Sequence, residues 1–91
     1  MVLNFLETLD YYDVPLVVVA EDFNKQKWLC NLYIFPSKKD SDLKYECVTI
    51  YESRLKDYKD GIISIDDIFN HQKVFKGISK DFADTIIINE K

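Results

Sequence analysis

Through its first half the chain alternates apolar and polar positions or runs them in short apolar blocks. Only after residue 51 does the spacing lengthen to that of a helix. Over residues 2–9, Leu3, Phe5, Glu7 and Leu9 would face one way and Val2, Asn4, Leu6 and Thr8 the other. The first set is the more apolar, which fits a half-buried strand, with a short helix as the competing reading. PLVVVAE (residues 15–21) is clearer, because three successive β-branched valines suit a pleated surface better than a helix. DFNKQ (residues 22–26) reads as a hairpin loop. In KWLCNLYIF (residues 27–35), Trp28, Cys30, Leu32 and Ile34 share one face, and Leu29, Asn31, Tyr33 and Phe35 the other. Both faces are largely apolar, so this strand is expected to be central and covered on both sides. PSKKDSD (residues 36–42) is the most polar stretch and reads as a loop, and LKYECVTIY (residues 43–51) as a fourth strand.

If the third and fourth strands form a hairpin with Pro36 opposite Ser41, register counting sets Cys30 against Cys47 and Asn31 against Glu46. Facing cysteines suggest a disulfide or half a zinc site. Two small core thiols are the stronger reading, since no second pair completes a metal site. In ESRLKDYKDG, Leu55 and Tyr58 stand three apart and Gly61 suits the position just past a helix end. Ser64 and Asp67 have the spacing of a capping box, and Ile65, Ile68 and Phe69 give the second short helix an apolar face. KVFKGI (residues 73–78) suggests a fifth strand, SKDFADT (residues 79–85) a capped turn, and IIIN (residues 86–89) a closing strand. The expected fold class is α+β: a small, mainly antiparallel sheet of about four to six strands, with two short helices after the fourth strand. One domain spans residues 1–91.

Composition narrows the function classes. The 91 residues are 47% hydrophobic and 31% charged, as in a globular chain, and the 14% aromatic content is high. A net charge of -4 without a dense basic cluster disfavours nucleic-acid binding, yet it is too mild to make imitation of DNA phosphates the leading idea. The first residues lack a basic n-region, and no apolar run approaches the roughly 20 residues that span a bilayer, so a cytoplasmic location with reduced cysteines is expected. Eleven lysines against the single Arg54, with abundant Ile, Asn, Tyr and Phe, suggest an AT-rich coding sequence such as a low-GC bacterium or its phage carries.

Catalysis has little to draw on. His71 is the one histidine, placed just past the second helix, where a surface role is usual. No nucleophile elbow, P-loop or dinucleotide glycine motif is present. The carboxylate pairs Asp10 with Asp13, Asp40 with Asp42, and Asp66 with Asp67 each have a plain role in a turn, a solvated loop or a first helical turn. No cofactor and no metal ligand set is expected.

The tyrosines carry more weight, because tyrosine is common where one end is packed and the other meets solvent or a partner. Tyr11 and Tyr12 lie adjacent on an extended segment, so one is expected to enter the core and the other to stay outside. DYYDVP (residues 10–15) is then a corner first and a contact surface second. The candidate protein-binding surface comprises Asp10, Tyr11, Tyr12, Asp13, Tyr33, Tyr45 and Glu46.

YYDVP (residues 11–15), YESRL (residues 51–55) and DGIISIDDIF (residues 60–69) together resemble an uncharacterised bacterial domain family in which a tyrosine pair precedes Asp-Gly-Pro. The resemblance spans roughly residues 3–69. It implies a small antiparallel sheet with helices following, and no chemistry. Where that family has glycine this chain has Val14, which does not readily take a positive φ and, standing before Pro15, prefers an extended backbone. The expectation drawn from all of this is a non-catalytic module that binds another protein as inhibitor, immunity factor or adaptor, including a phage protein that counters a bacterial defence enzyme. A homodimer is also compatible. The alternative is a small-ligand or nucleotide-binding domain, with aromatic rings on a base and Lys25, Lys27 and Arg54 toward phosphates.

Overall fold

The computed structural model describes residues 1–80 and 84–88. Its elements follow in the order β1 (Val2–Tyr12), β2 (Val14–Glu21), β3 (Lys27–Ile34), β4 (Leu43–Thr49), α1 (Glu52–Lys59), α2 (Ile65–Phe69), β5 (Phe75–Ser79) and β6 (Thr85–Ile88). Each strand pairs antiparallel with the next, and β6 returns to β1 through Val2–Ile87, Leu3–Ile86 and Asn4–Thr85. The sheet is therefore a closed six-stranded barrel. This corrects the expected α+β class, in which a sheet was followed by helices. The protein is mainly β, and helices of 8 and 5 residues interrupt the sheet between β4 and β5. Alternation along one strand does not report closure, because closure depends on partners at opposite ends of the chain.

Two cores share the barrel wall. Inside lie Leu3, Val18, Ala20, Trp28, Cys30, Leu32, Leu43, Tyr45, Cys47, Ile86 and Ile88. Outside, Val17, Val19, Leu29 and Val48 pack against Ile50, Leu55 of α1 and Ile68 of α2. The valine run of β2 thus serves both: Val18 points in, Val17 and Val19 point out. Trp28, Cys30 and Leu32 of β3 face the interior while Leu29 meets the helices, so this strand is covered on both sides over its first half.

β1 departs from simple alternation. Its register against β2 slips between Phe5 and Glu7 and again between Thr8 and Asp10. A bulge turns the pleat over. Phe5 consequently packs with the barrel interior and Leu9 with the helix-side core, although one uninterrupted alternation would set them on a common face.

From Leu32 inward the β3–β4 hairpin has the counted register, with Cys30 opposite Cys47 and Asn31 opposite Glu46, but a shift between Leu32 and Ile34 sets Ile34 opposite Lys44 rather than Leu43. Both cysteines are free thiols in the interior. α1 ends in a Schellman motif: Gly61 at φ 77 donates its N–H to the Tyr58 carbonyl at 3.1 Å, and Ile62 donates to that of Asp57 at 2.8 Å. α2 begins in the expected capping box, with Asp67 N–H on Ser64 Oγ at 3.1 Å and Ser64 N–H on Asp67 Oδ2 at 3.2 Å. β5 and β6 stand where the last apolar runs placed them. The capped turn expected over residues 79–85 falls largely on residues 81–83, and the end of the closing run on Asn89; both lie outside the described residues.

At Gly77 the chain of β5 runs close against β6. A Cβ there would meet Ile86 Cγ2 well inside contact distance, and the Ile87 carbonyl oxygen at 3.2 Å. Glycine lets β5 and β6 come together as the barrel closes.

Candidate interaction surface

Asp13 alone joins β1 to β2. Tyr12 pairs with Val14 and Tyr11 with Pro15 around it, and Asp13 takes φ 62. The positive φ falls on an aspartate, which tolerates the left-handed region, and Val14 is extended and buried. Tyr11 donates its phenol to the Asp13 carbonyl at 3.1 Å, bracing the turn.

Tyr11 is 64% exposed and Tyr12 69%. The expectation that one of them enters the core is overturned. β1 pairs with β6 only up to Asn4, and β2 pairs with β3 only from Val17 onward. Residues 11–15 therefore form a two-stranded ribbon with no third strand beside it, and neither of its faces receives cover at the tyrosines.

Tyr45 is also corrected. It is fully buried inside the barrel, edge-on to Phe5 at 6.2 Å between ring centroids, and its phenol donates to the Pro15 carbonyl at 2.7 Å. Burial pushes that phenol far above the ordinary tyrosine range. Tyr45 ties the ribbon to the core and presents nothing to a partner. The parity of β4 carries the signal, since Tyr45 stands two residues from Cys47 and must share its face.

The other candidates are outward. Asp10, Val17, Asn31, Glu46 and Lys76 form one register row across five strands. Asp10 and Glu46 stand three strand spacings apart on it, about 14 Å, and do not touch. Tyr33 is partly exposed, with Lys76 Nζ 5.2 Å from its ring centroid. Antiparallel pairing brings the end of β3 to the same end of the barrel as the β1–β2 turn. There the structure adds two residues that the sequence reading left out, Ile34 and Phe35, both exposed. Tyr11, Tyr12 and Asp13 on the turn, and Tyr33, Ile34 and Phe35 at the end of β3, make this end of the barrel rich in exposed rings.

The remaining chemical candidates keep plain roles. His71 is exposed and its Nδ1–H donates to the Asp67 carbonyl at 2.8 Å, one turn back. The Ser64 backbone and hydroxyl hold the Asp67 carboxyl below its ordinary range. Asp40 accepts the Asp42 N–H at 3.0 Å and pairs with Lys44 at 3.2 Å. The Cys30 thiol is pushed up by its hydrogen bond with Cys47 and by burial, which keeps it protonated and unreactive. Among the described residues, no cluster of His, Cys, Asp and Glu is arranged to hold a metal ion, and no helix is long and apolar enough to cross a membrane.

Fold and surface together define a closed six-stranded antiparallel barrel with a helix pair on one flank and an aromatic rim at one end. No family model, curated protein or solved structure matches the chain significantly.

Proposed function

We propose that the chain is a non-catalytic protein-binding module that acts as an inhibitor, immunity factor or adaptor, and that a phage protein directed at a bacterial defence enzyme is its specific setting. The observation that carries this reading is the aromatic rim. Tyrosine and phenylalanine supply large contact area at low conformational cost and are enriched where interfaces are tightest. Asp10 and Asp13 beside Tyr11 and Tyr12 add a local negative field that favours a basic partner surface. The barrel interior is filled by its own side chains, so a small ligand would have to bind outside it.

The test is affinity purification of the tagged protein from host or infected cells, with the native mass of what co-elutes. The expected result is one protein at fixed stoichiometry, lost when Tyr11→Ala and Tyr12→Ala are combined. A complex that survives this double variant, or a bound small molecule with no protein, refutes the reading.

A further inference from the structure

The outer wall of the barrel has a second apolar sector, and the helices do not reach it. Val2, Ile87, Ile78, Lys44 and Ile34 form one continuous register row across β1, β6, β5, β4 and β3. Its aliphatic members are all exposed, Val2 by 49% and Ile87 by 50%. A groove of about 560 Å³ runs along it, floored by Ile78, Ile87 and Tyr33 and edged by Lys44, Lys76 and Lys80. Among the described residues that line it, Lys44, Lys76 and Lys80 are the charged ones and none is a carboxylate, although Lys44 also pairs with Asp40 at 3.2 Å.

We infer that this groove binds an amphipathic, acidic segment of a partner protein, which lays apolar side chains on the isoleucines and sets carboxylates against the lysines. The molecule already covers its other apolar sector with the apolar faces of its helices. α1 and α2 bring Leu55 and Ile68 onto the valines of β2 and β4; α1 mixes Glu52 and Asp57 with Arg54, Lys56 and Lys59, while α2 is acidic through Asp66 and Asp67. The uncovered sector has the same apolar base and a basic rim, so charge complementarity selects an acidic cover. At the groove β4, β5 and β6 are each paired on both sides, so an incoming strand finds no edge there and side-chain docking is the mode. A second copy meeting this face about a twofold axis would set lysines against lysines. An anionic membrane would have to accept a protein of like net charge. The groove shares Tyr33 with the aromatic rim but none of the β1–β2 turn, so either surface can fail without the other.

The experiment is random-peptide display on the whole protein, counter-selected on the triple variant Lys44→Glu, Lys76→Glu, Lys80→Glu. The expected peptides place Asp or Glu beside bulky apolar residues. They lose at least about tenfold in affinity for the triple variant and for Ile87→Asn, and bind more weakly as salt is raised. They bind Lys→Arg controls and the Tyr11→Ala, Tyr12→Ala variant like the parent. Thermal melts confirm that each variant is folded. Selection of peptides without acidic residues, unchanged binding to the triple variant, attachment of the parent to phosphatidylserine vesicles through these lysines, or a dimer that the lysine reversals abolish would each overturn the proposal.

Discussion

Replacing Gly77 with alanine adds one methyl where the barrel has no room. The new Cβ would press on Ile86, which is fully buried and cannot swing away, and would crowd the Ile87 carbonyl at 3.2 Å and Ile88 Cγ1 at 3.4 Å. Overpacking a filled site costs about 1–3 kcal/mol. The smaller conformational freedom of unfolded alanine offsets about 0.4–1 kcal/mol of that. The net is a loss of roughly 1–2 kcal/mol, or about 5–15 °C in melting temperature for a domain of this size. Gly61→Ala separates the two glycine mechanisms, because its added Cβ meets nothing within 4 Å and the backbone alone, at φ 77, resists it. That variant is expected to lose about 1 kcal/mol, most of it recovered by Gly61→Asn, which tolerates the left-handed region. Urea unfolding followed by circular dichroism measures all of these. Combining Gly77→Ala with Ile86→Ala should cost less than the sum of the single losses by at least about 1 kcal/mol, since the clash disappears with the side chain. An alanine at residue 77 that leaves stability within about 0.5 kcal/mol of the parent, or strict additivity with Ile86→Ala, would refute a steric limit at the closure.

Tyr45→Phe removes the donor to the half-buried Pro15 carbonyl and is expected to cost about 1 kcal/mol by chemical denaturation. Because the Tyr45 phenol is raised in the folded state, its contribution is complete below the unfolded tyrosine value near 10 and is lost as pH climbs above it. Thermal melts of Tyr45→Phe should accordingly lack part of the parent's alkaline decline. Burial works against ionisation of Asp22, but hydrogen bonds from Trp28 Nε1 and the Gln26 and Asn24 amides outweigh it and lower its carboxyl. Its stabilising effect is therefore present above the unfolded value near 4 and lost as pH falls through the folded one. Asp22→Asn should melt earlier than the parent at neutral pH, with the gap narrowing in acid. Cys30 and Cys47 are fully buried free thiols, so an aromatic disulfide reagent should find neither in the native protein and both in guanidinium.

The strands were legible where local rules suffice. Counting back from the polar loop at residues 36–42 set Cys30 against Cys47, although it missed the shift between Leu32 and Ile34 that puts Ile34 against Lys44. Ser64 and Gly61 announced the helix ends through side-chain oxygen and permissive backbone. Closure was not legible, because nothing near Val2 specifies Ile87 as its partner. The bulges in β1 were equally silent, and they alone decide that Phe5 and Leu9 part company. For the site, the sequence marked the tyrosine turn and Tyr33 but sent one of Tyr11 and Tyr12 inward, as if a third strand flanked them. It also counted Tyr45 with the surface, although parity with Cys47 pointed it inside. The lysine groove went unnoticed because its row draws one residue from each of five strands, and in sequence those residues are far apart. Lys76 and Ile78, alternating around Gly77, were the one local hint.

The seam between β1 and β6 also bears on how the chain folds. β1–β2, β2–β3 and β3–β4 are hairpins, each formed by zipping close neighbours. Joining Val2 to Ile87 instead requires nearly the whole polypeptide to be drawn into a ring, an entropy loss of about 4 kcal/mol for an unstructured loop of that length. That loss shrinks only after the intervening strands have condensed and shortened the path. The ring is therefore expected to shut last, and until it does the partly folded chain has two unsatisfied strand edges through which it can pair with another molecule.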